Sequence, residues 1–333
     1  MKILSGNDID RNEWSRLVVS SSTGTWFQTP GAYDFFASLP ELFRPFAFGL
    51  ENEGQLRGVC VGYITVEKSA LKQFLTRRAI IVGGPVLADN CSEEEVAILT
   101  KALRERLRQQ AIYIETRNFN DYSRWKEAFE KSGFEYQPHL NFHIDTSSMD
   151  VVDANLGKSR KRDIRTTIRE GVSVIEHPTD EQVCEYYKVL DTLYRTKVKT
   201  PLFPLSFFLA LNRHKDGRLL LMQYQERIIG GTVCVEQANR CVYEWFVCGE
   251  DGVYPHVFPS CYATYAGIRY AAEHNCPRFD MMGAGTPNEA YGVRDFKAKF
   301  GGKEVEHGRF LCVTKPFLYQ IGVLGVKLLK KLK

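Results

Sequence analysis

"RLLLMQYQERIIGGTVCVEQ", Arg218 to Gln237, reads as strand, polar turn, strand. The same plan stands earlier as "FAFGLENEGQLRGVCVGYI", Phe46 to Ile64, with Gly54 in the turn. Placing Gly58 on Gly230 aligns "LRGVCV" with "IIGGTVCV". Outward from these hairpins the two halves continue alike. The first has a helix, Ser92 to Gln110, opened by a Ser92/Glu95 capping box, then the strand "AIYIETR", Ala111 to Arg117. The second has a helix, Pro259 to His274, then the strand "RFDMMG", Arg278 to Gly283. "WKEAFEKSGFEYQPHLNFHID" and "VRDFKAKFGGKEVEHGRFLCV" then each read as helix, glycine stop and strands. Laid together, Phe129 falls on Phe296 and Glu130 on Lys297. A period of roughly 170 residues is a duplicated domain, too long for a solenoid unit. The element order predicts an α+β fold in each copy. The expected division is 1–150, 151–315 and a basic amphipathic tail, 316–333, because "DTSSMD" breaks the pattern near 150.

The 333 residues are 44% hydrophobic and 25% charged, ordinary for a globular protein of two domains. A net charge of +4 is too mild to indicate nucleic-acid binding, although it leaves room for a local basic patch. The N-terminal stretch has no signal-peptide pattern, and no apolar run is long enough for a spanning helix. The nine cysteines form no C-x-x-C; Cys234, Cys241 and Cys248 sit in strand-like sequence at a spacing that suits neither zinc nor disulfides. Free thiols and the lack of an export signal lead to an expected cytoplasmic location, and no metal site is expected.

At helical spacing from Val293, Phe296 and Phe300 fall within about 60° on one side and Lys297 about 40° to the other. Lys299 falls about 120° away and is expected in solvent. Lys297 is therefore the candidate catalytic cation, its stem on apolar surface and its ammonium aimed at a cavity, or else a snorkelling side chain. Gly301 or Gly302 stops the helix. Asp280, at the end of a strand, is the second candidate, orienting a substrate or Lys297, or else pairing with a neighbouring arginine or capping a loop. Lys158, Arg162, Arg165 and Arg169 line one face of a helix that Gly171 ends; Ile164 and Ile168 supply part of its apolar face. These cations suit the phosphates of RNA or of a lipid diphosphate, or else form a merely solvated charged face. "YRTKVKTPLFPL", Tyr194 to Leu205, reads as a loop, and Tyr194 and Lys197 are its candidate substrate contacts. The four terminal lysines, Lys327, Lys330, Lys331 and Lys333, give the tail a basic end that could rest on a membrane or close a packed helix. G-x-G-x-x-G, P-loop, H-E-x-x-H and G-x-S-x-G patterns are absent, and no catalytic triad is visible.

The duplicated plan and the segment from Arg278 to Gly302 resemble the FemABX family of non-ribosomal peptidyltransferases. The likeness stands on Phe279, Asp280 and Gly283, then Gly292, Phe296, Lys297, Phe300 and Gly301. "RTTIREGVSVIEHPTDEQVCEYYKVLDTLYRTKVKTP" is similar to the opening of the family's second domain. The resemblance implies two tandem acetyltransferase-like (GNAT-like) domains, each a mixed, mainly antiparallel sheet flanked by helices. It implies an aminoacyl-tRNA donor, an amine acceptor on a peptidoglycan precursor or a related cell-envelope molecule, and no bound cofactor. It gives Lys297 a functional role, and the basic helix and tail phosphates to bind. Two departures stand out. "WFQTPGAYDFFASLPE", Trp26 to Glu41, holds no lysine where the family often has one for acceptor phosphates. The chain also has no room for the helical hairpin some members insert. The alternative is a GNAT-type N-acyltransferase using acyl-CoA or another acyl thioester, although "GEDGVYPHVFPS" lacks the usual acetyl-CoA loop spacing. A non-catalytic pair of domains that binds a polyanion or membrane surface is the reading from another class.

Overall fold

The computed structural model describes residues 1–331; side chains from 325 onward, and with them Lys327, Lys330, Lys331 and Lys333, lie outside the described residues. The strands in chain order are β1 (Lys2–Ser5), β2 (Phe43–Asn52), β3 (Gln55–Thr65), β4 (Ala79–Gly83), β5 (Val86–Leu87), β6 (Tyr113–Asn118) and β7 (Glu135–Gln137). Then come β8 (Leu140–Asp145), β9 (Ser173–Ile175), β10 (Gly217–Tyr224), β11 (Arg227–Gln237), β12 (Cys241–Gly249), β13 (Arg278–Asp280), β14 (Lys303–Glu306) and β15 (Arg309–Val313). They form two sheets, β1-β2-β3-β4-β6-β15-β7 with β5 beside β3, and β14-β8-β13-β12-β11-β10-β9. Read from β1 and from β9, the two orders are the same. Parallel pairing is confined to β4–β6 and β12–β13 among the registers observed; the others are antiparallel. The fold is the tandem GNAT-like α+β architecture.

The repeat of the hairpins extends to their irregularities. Leu50 faces Gly58 and Met222 faces Gly230, and each register shifts at the next residue. The two-residue turns also match, with Glu53 and Gly54 left-handed in one and Gln225 and Glu226 in the other. The bulge sharpens the local twist, so alignment on Gly58 and Gly230 carries the backbone bend as well as the hydrophobic pattern.

The compact units do not break at 150 and 315. One comprises Met1–His139 with the chain from Glu306 onward; the other is Leu140–Val305. The reason is an exchange of strands. β8, which follows the first copy in sequence, pairs with β13 in the second sheet, and β15 pairs with β6 and β7 in the first. The last helix, Pro316–Lys331, thus belongs to the first unit and is not a separate tail.

In the first unit the helix Glu93–Leu107 is set by its capping box, in which Ser92 N donates to Glu95 Oε2 at 2.8 Å and Glu95 N to Ser92 Oγ at 3.2 Å. It buries Val96, Leu99, Leu103 and Leu107 on the sheet with Phe129 and Phe310. Trp14, Leu17 and Val18 join a smaller cluster with Val59 and Val61. In the second unit the helix Pro259–Glu273 lies on β11 and β12, with Ala263, Ala266 and Ile268 in the core beside Phe279. The helices Asp180–Leu193 and Leu205–Arg213 also pack on this sheet and bury Val183, Tyr186, Leu190, Phe207, Phe208 and Leu211.

Candidate functional site

The site is built at the end of β13. The chain leaves Asp280 into a turn in which Met282 is left-handed, at φ 47°, followed by Gly283 at φ 73°. A non-glycine residue there needs local support, and three side chains supply it. Asp280 Oδ1 accepts from Met282 N at 2.9 Å and from Asn141 Nδ2 at 2.8 Å. Asn141 Oδ1 in turn accepts from Gly283 N at 3.2 Å and Phe142 N at 2.7 Å. Lys297, 6% exposed, answers from the helix Gly292–Ala298: its Nζ donates to Met282 O at 3.0 Å, to Gly283 O at 2.7 Å, and to Met281 O. An ammonium has three protons to donate, so the cage of carbonyls matches it.

Arg294, one turn earlier, holds the next stretch through the carbonyls of Ala284 at 3.1 Å, Pro287 at 3.3 Å, and Thr286. The helix therefore clamps the loop 281–287 with two cations spaced i, i+3. The helix is itself seated by Arg160, whose guanidinium lies 4.5 Å from the Phe296 ring centre and 5.1 Å from that of Phe300. Gly301, at φ 80°, ends the segment where an added Cβ would stand 2.0 Å from Asn155 O. The glycine is needed for close approach as well as for stopping the helix.

Two buried carboxylates share the region. Glu244, on β12, is 3% exposed and accepts from Thr232 Oγ1 at 3.2 Å. Burial raises its pKa, and Lys297, Thr264 and Thr232 oppose that rise. Asp280 is fully buried; its burial would raise the pKa, but His143, Arg278 and Asn141 together hold it below the ordinary value. His143 Nε2 stands 3.1 Å from Asp280 Oδ2. Lys297 feels the converse: burial lowers its pKa to about 8, against the pull of Glu244 and Asp280. The cluster thus holds a cation that gives up its proton more readily than a surface lysine, with carboxylates that balance it. Such a fixed charge in a dry setting can stabilise a developing oxyanion or hold a phosphate, once one carbonyl yields its hydrogen bond to the ligand.

Several sequence expectations change here. Val293, the expected centre of the apolar stripe, is 41% exposed; the buried side is Lys297 with Phe300, while Lys299 is exposed as expected. The pairing of Glu130 with Lys297 also moves. Gly133 and Gly301 are the matching left-handed stops, and each lies four residues after a buried side chain, Phe129 and Lys297. The first copy thus buries a phenylalanine, stacked on Phe310 at 4.0 Å, where the second buries an ammonium. Glu130 is exposed.

The remaining candidates lie elsewhere in the second unit. Lys158, Arg162, Arg165 and Arg169 are all exposed on the helix Lys158–Arg169, while Asp163, Ile164 and Thr167 turn inward. Ile168 is 47% exposed and adds nothing to the apolar face. Tyr194 and Lys197 stand on a π-helical turn, Tyr194–Val198, rather than a loop; it continues the helix before it and ends at left-handed Lys199. Tyr194 faces Phe246 at 6.3 Å, and burial pushes its hydroxyl up to about 12; Lys197 is exposed. Glu244, Asn141, His143, Arg160 and Arg294 escaped the sequence reading. The one local signal was Glu244, an acid in the apolar strand "CVYEWFVCG", opposite a register shift at Val233/Cys234.

The FemAB family profile matches residues 212–325. Among solved structures, FemX aligns with a TM-score of 0.72 at 14% identity, over 96% of this chain and 99% of its own. L-PGS from Bacillus licheniformis aligns with a TM-score of 0.59 at 12% identity, over 97% of each chain. A tandem GNAT protein from the clavulanic acid biosynthesis pathway gives 0.58 at 9% identity, over 94% of this chain and 98% of its own. At these identities the likeness is one of fold. No curated protein sequence matches. The FemAB profile begins before β10, spans Glu244 and the Lys297 loop and enters the last helix, on a tandem fold shared with FemX.

Proposed function

We propose that this acyltransferase moves an amino acid from aminoacyl-tRNA to a primary amine of a peptidoglycan precursor or a related cell-envelope acceptor. The observation that carries the reading is the buried Lys297 ammonium, beside Glu244 and Asp280, inside the segment that the FemAB profile matches. The acceptor amine attacks the ester carbonyl carbon of the donor, and negative charge gathers on the carbonyl oxygen. Lys297 stabilises that oxygen, exchanging one carbonyl bond of its cage for it. As the ester C–O bond breaks, the proton lost by the amine passes to the leaving ribose hydroxyl. Asp280 is a positioning residue, because it acts through the turn whose carbonyls hold Lys297. Tyr194 and Lys197, on their π turn, are proposed to border the substrate.

The exposed row Lys158, Arg162, Arg165 and Arg169 is proposed to hold donor or acceptor phosphates. Arg162→Ala combined with Arg165→Ala is expected to weaken binding of charged tRNA and to reduce the slope of log K against log salt by roughly two. An unaltered slope returns these residues to the solvent.

The deciding experiment titrates the chain with charged tRNA and with acetyl-CoA, then assays transfer to an amine-bearing muropeptide precursor. Binding and turnover with charged tRNA support the reading. Saturable acetyl-CoA binding with acyl transfer, and none from tRNA, replaces it with the thioester reading, which the shared fold of the tandem GNAT protein favours.

A further inference from the structure

Two helices of the first unit turn their apolar sides outward. The helix Ala70–Thr76, "ALKQFLT", has one half-buried side chain, and it is polar: Gln73 donates to Thr65 O at 2.9 Å and accepts from Glu67 N. On the other side Leu71 is 70% exposed, Phe74 49% and Leu75 37%. This inverts the usual order of an amphipathic helix, in which the apolar stripe faces the core. The helix Pro316–Lys331 touches it. Tyr319 turns inward there, edge-on to Tyr113 at 5.4 Å, while Phe317, Ile321 and Leu324 follow i, i+4, i+7 spacing and stand 75%, 43% and 59% exposed.

The charges that accompany these faces have one sign. Residues 67–78 carry Lys68, Lys72, Arg77 and Arg78 against the single acid Glu67, which pairs with Lys72 at 2.8 Å. Residues 315–333 carry five lysines and no acid. Adjacent apolar faces with cations in the same segments are the chemistry of an interfacial helix, which sinks its apolar side to the headgroup boundary and sets cations against anionic headgroups. Among the described residues no helix is long and apolar enough to cross a membrane, so these helices suit lying on a bilayer.

We propose that the outward faces of Ala70–Thr76 and of residues 316–324 dock the first unit on the surface of an anionic lipid bilayer. The test is sedimentation of the full chain with vesicles of phosphatidylglycerol and phosphatidylcholine in equal parts, and with vesicles of phosphatidylcholine alone. The chain is expected to sediment with the anionic vesicles and to release as salt rises. Leu71→Ser with Phe74→Ser, and separately Phe317→Ser with Ile321→Ser, are expected to lower the bound fraction about tenfold or more. These side chains are exposed, so the melting temperature should hold, and it is measured alongside. The proposal is overturned if the wild type stays in the supernatant, or if the variants bind as well as the wild type. It is also overturned if light scattering finds a dimer that the variants abolish, which would make the faces an interface between copies. The readout is binding, so it stands or falls apart from the transfer reaction.

Discussion

Lys297→Met is expected to fold and to lose roughly 10²- to 10³-fold in kcat/KM, the cost typical of removing one preorganised oxyanion donor. Methionine keeps most of the stem volume but deletes the charge and leaves the carbonyls of Met281, Met282 and Gly283 without their donor. Two opposing effects set the cost to stability. The unmet carbonyls cost about 1–3 kcal/mol each where water cannot reach them. Against that, a pKa lowered from 10.5 to about 8 marks an ammonium that already costs about 3 kcal/mol to bury. The pH dependence follows from the same shift. Below pH 8 the lysine is charged in both folded and unfolded chains, and the burial cost is fully present. Between about 8 and 10.5 the unfolded chain holds the proton that the folded chain has released, so stability rises with pH across that window. The wild type should therefore gain stability relative to Lys297→Met between those limits. If the ammonium is the working form, kcat of the wild type should fall as pH rises through about 8. A folded Lys297→Met that transfers at the wild-type rate, or a wild type without that alkaline fall, ends the catalytic role.

The hairpins and the lysine were legible because their signals are local. The Gly58 and Gly230 alignment rests on a turn and a bulge within one hairpin, and each recurs in the fold. Lys297 emerged from the period of a helix with two phenylalanines and a glycine stop. The misplacement of Val293 has a simple cause. The helix Gly292–Ala298 has seven residues, and its first turn stands at the surface, so the centre of the buried side lies one turn later. The exchange of β8 and β15 left no mark in either strand, because an apolar strand carries no label for the sheet it joins. Glu244 was hidden for a related reason: its partner Lys297 lies more than fifty residues away, and a strand covered on both faces shows no clean alternation against which an acid stands out. The register of Lys297 on Phe129 required the left-handed stops at Gly133 and Gly301, which only backbone dihedral angles reveal.

Asp280→Ala is expected to cost about 3–5 kcal/mol of stability, read as a lower denaturant midpoint at unchanged slope. The carboxylate is fully buried and serves Met282 N, Asn141 Nδ2 and His143 together, so its removal takes a partner from three groups and frees a left-handed turn. Its pKa is held below the ordinary 3.8, so its stabilising contribution is complete above that value and is lost as pH falls below about 4 and on through the folded pKa. Alanine alone would not separate positioning from simple structural damage. Asp280→Asn does, because the amide keeps the acceptor for Met282 N but removes one of the two carboxylates that support the Lys297 charge. The alkaline limb of the kcat profile should then move below about 8, and Glu244→Gln, which removes the larger of the two supports, should move it further. A folded Asp280→Asn with a slower rate but an unshifted limb would show that Asp280 shapes the turn without tuning the lysine. An unchanged profile in both variants would sever the carboxylates from Lys297 altogether.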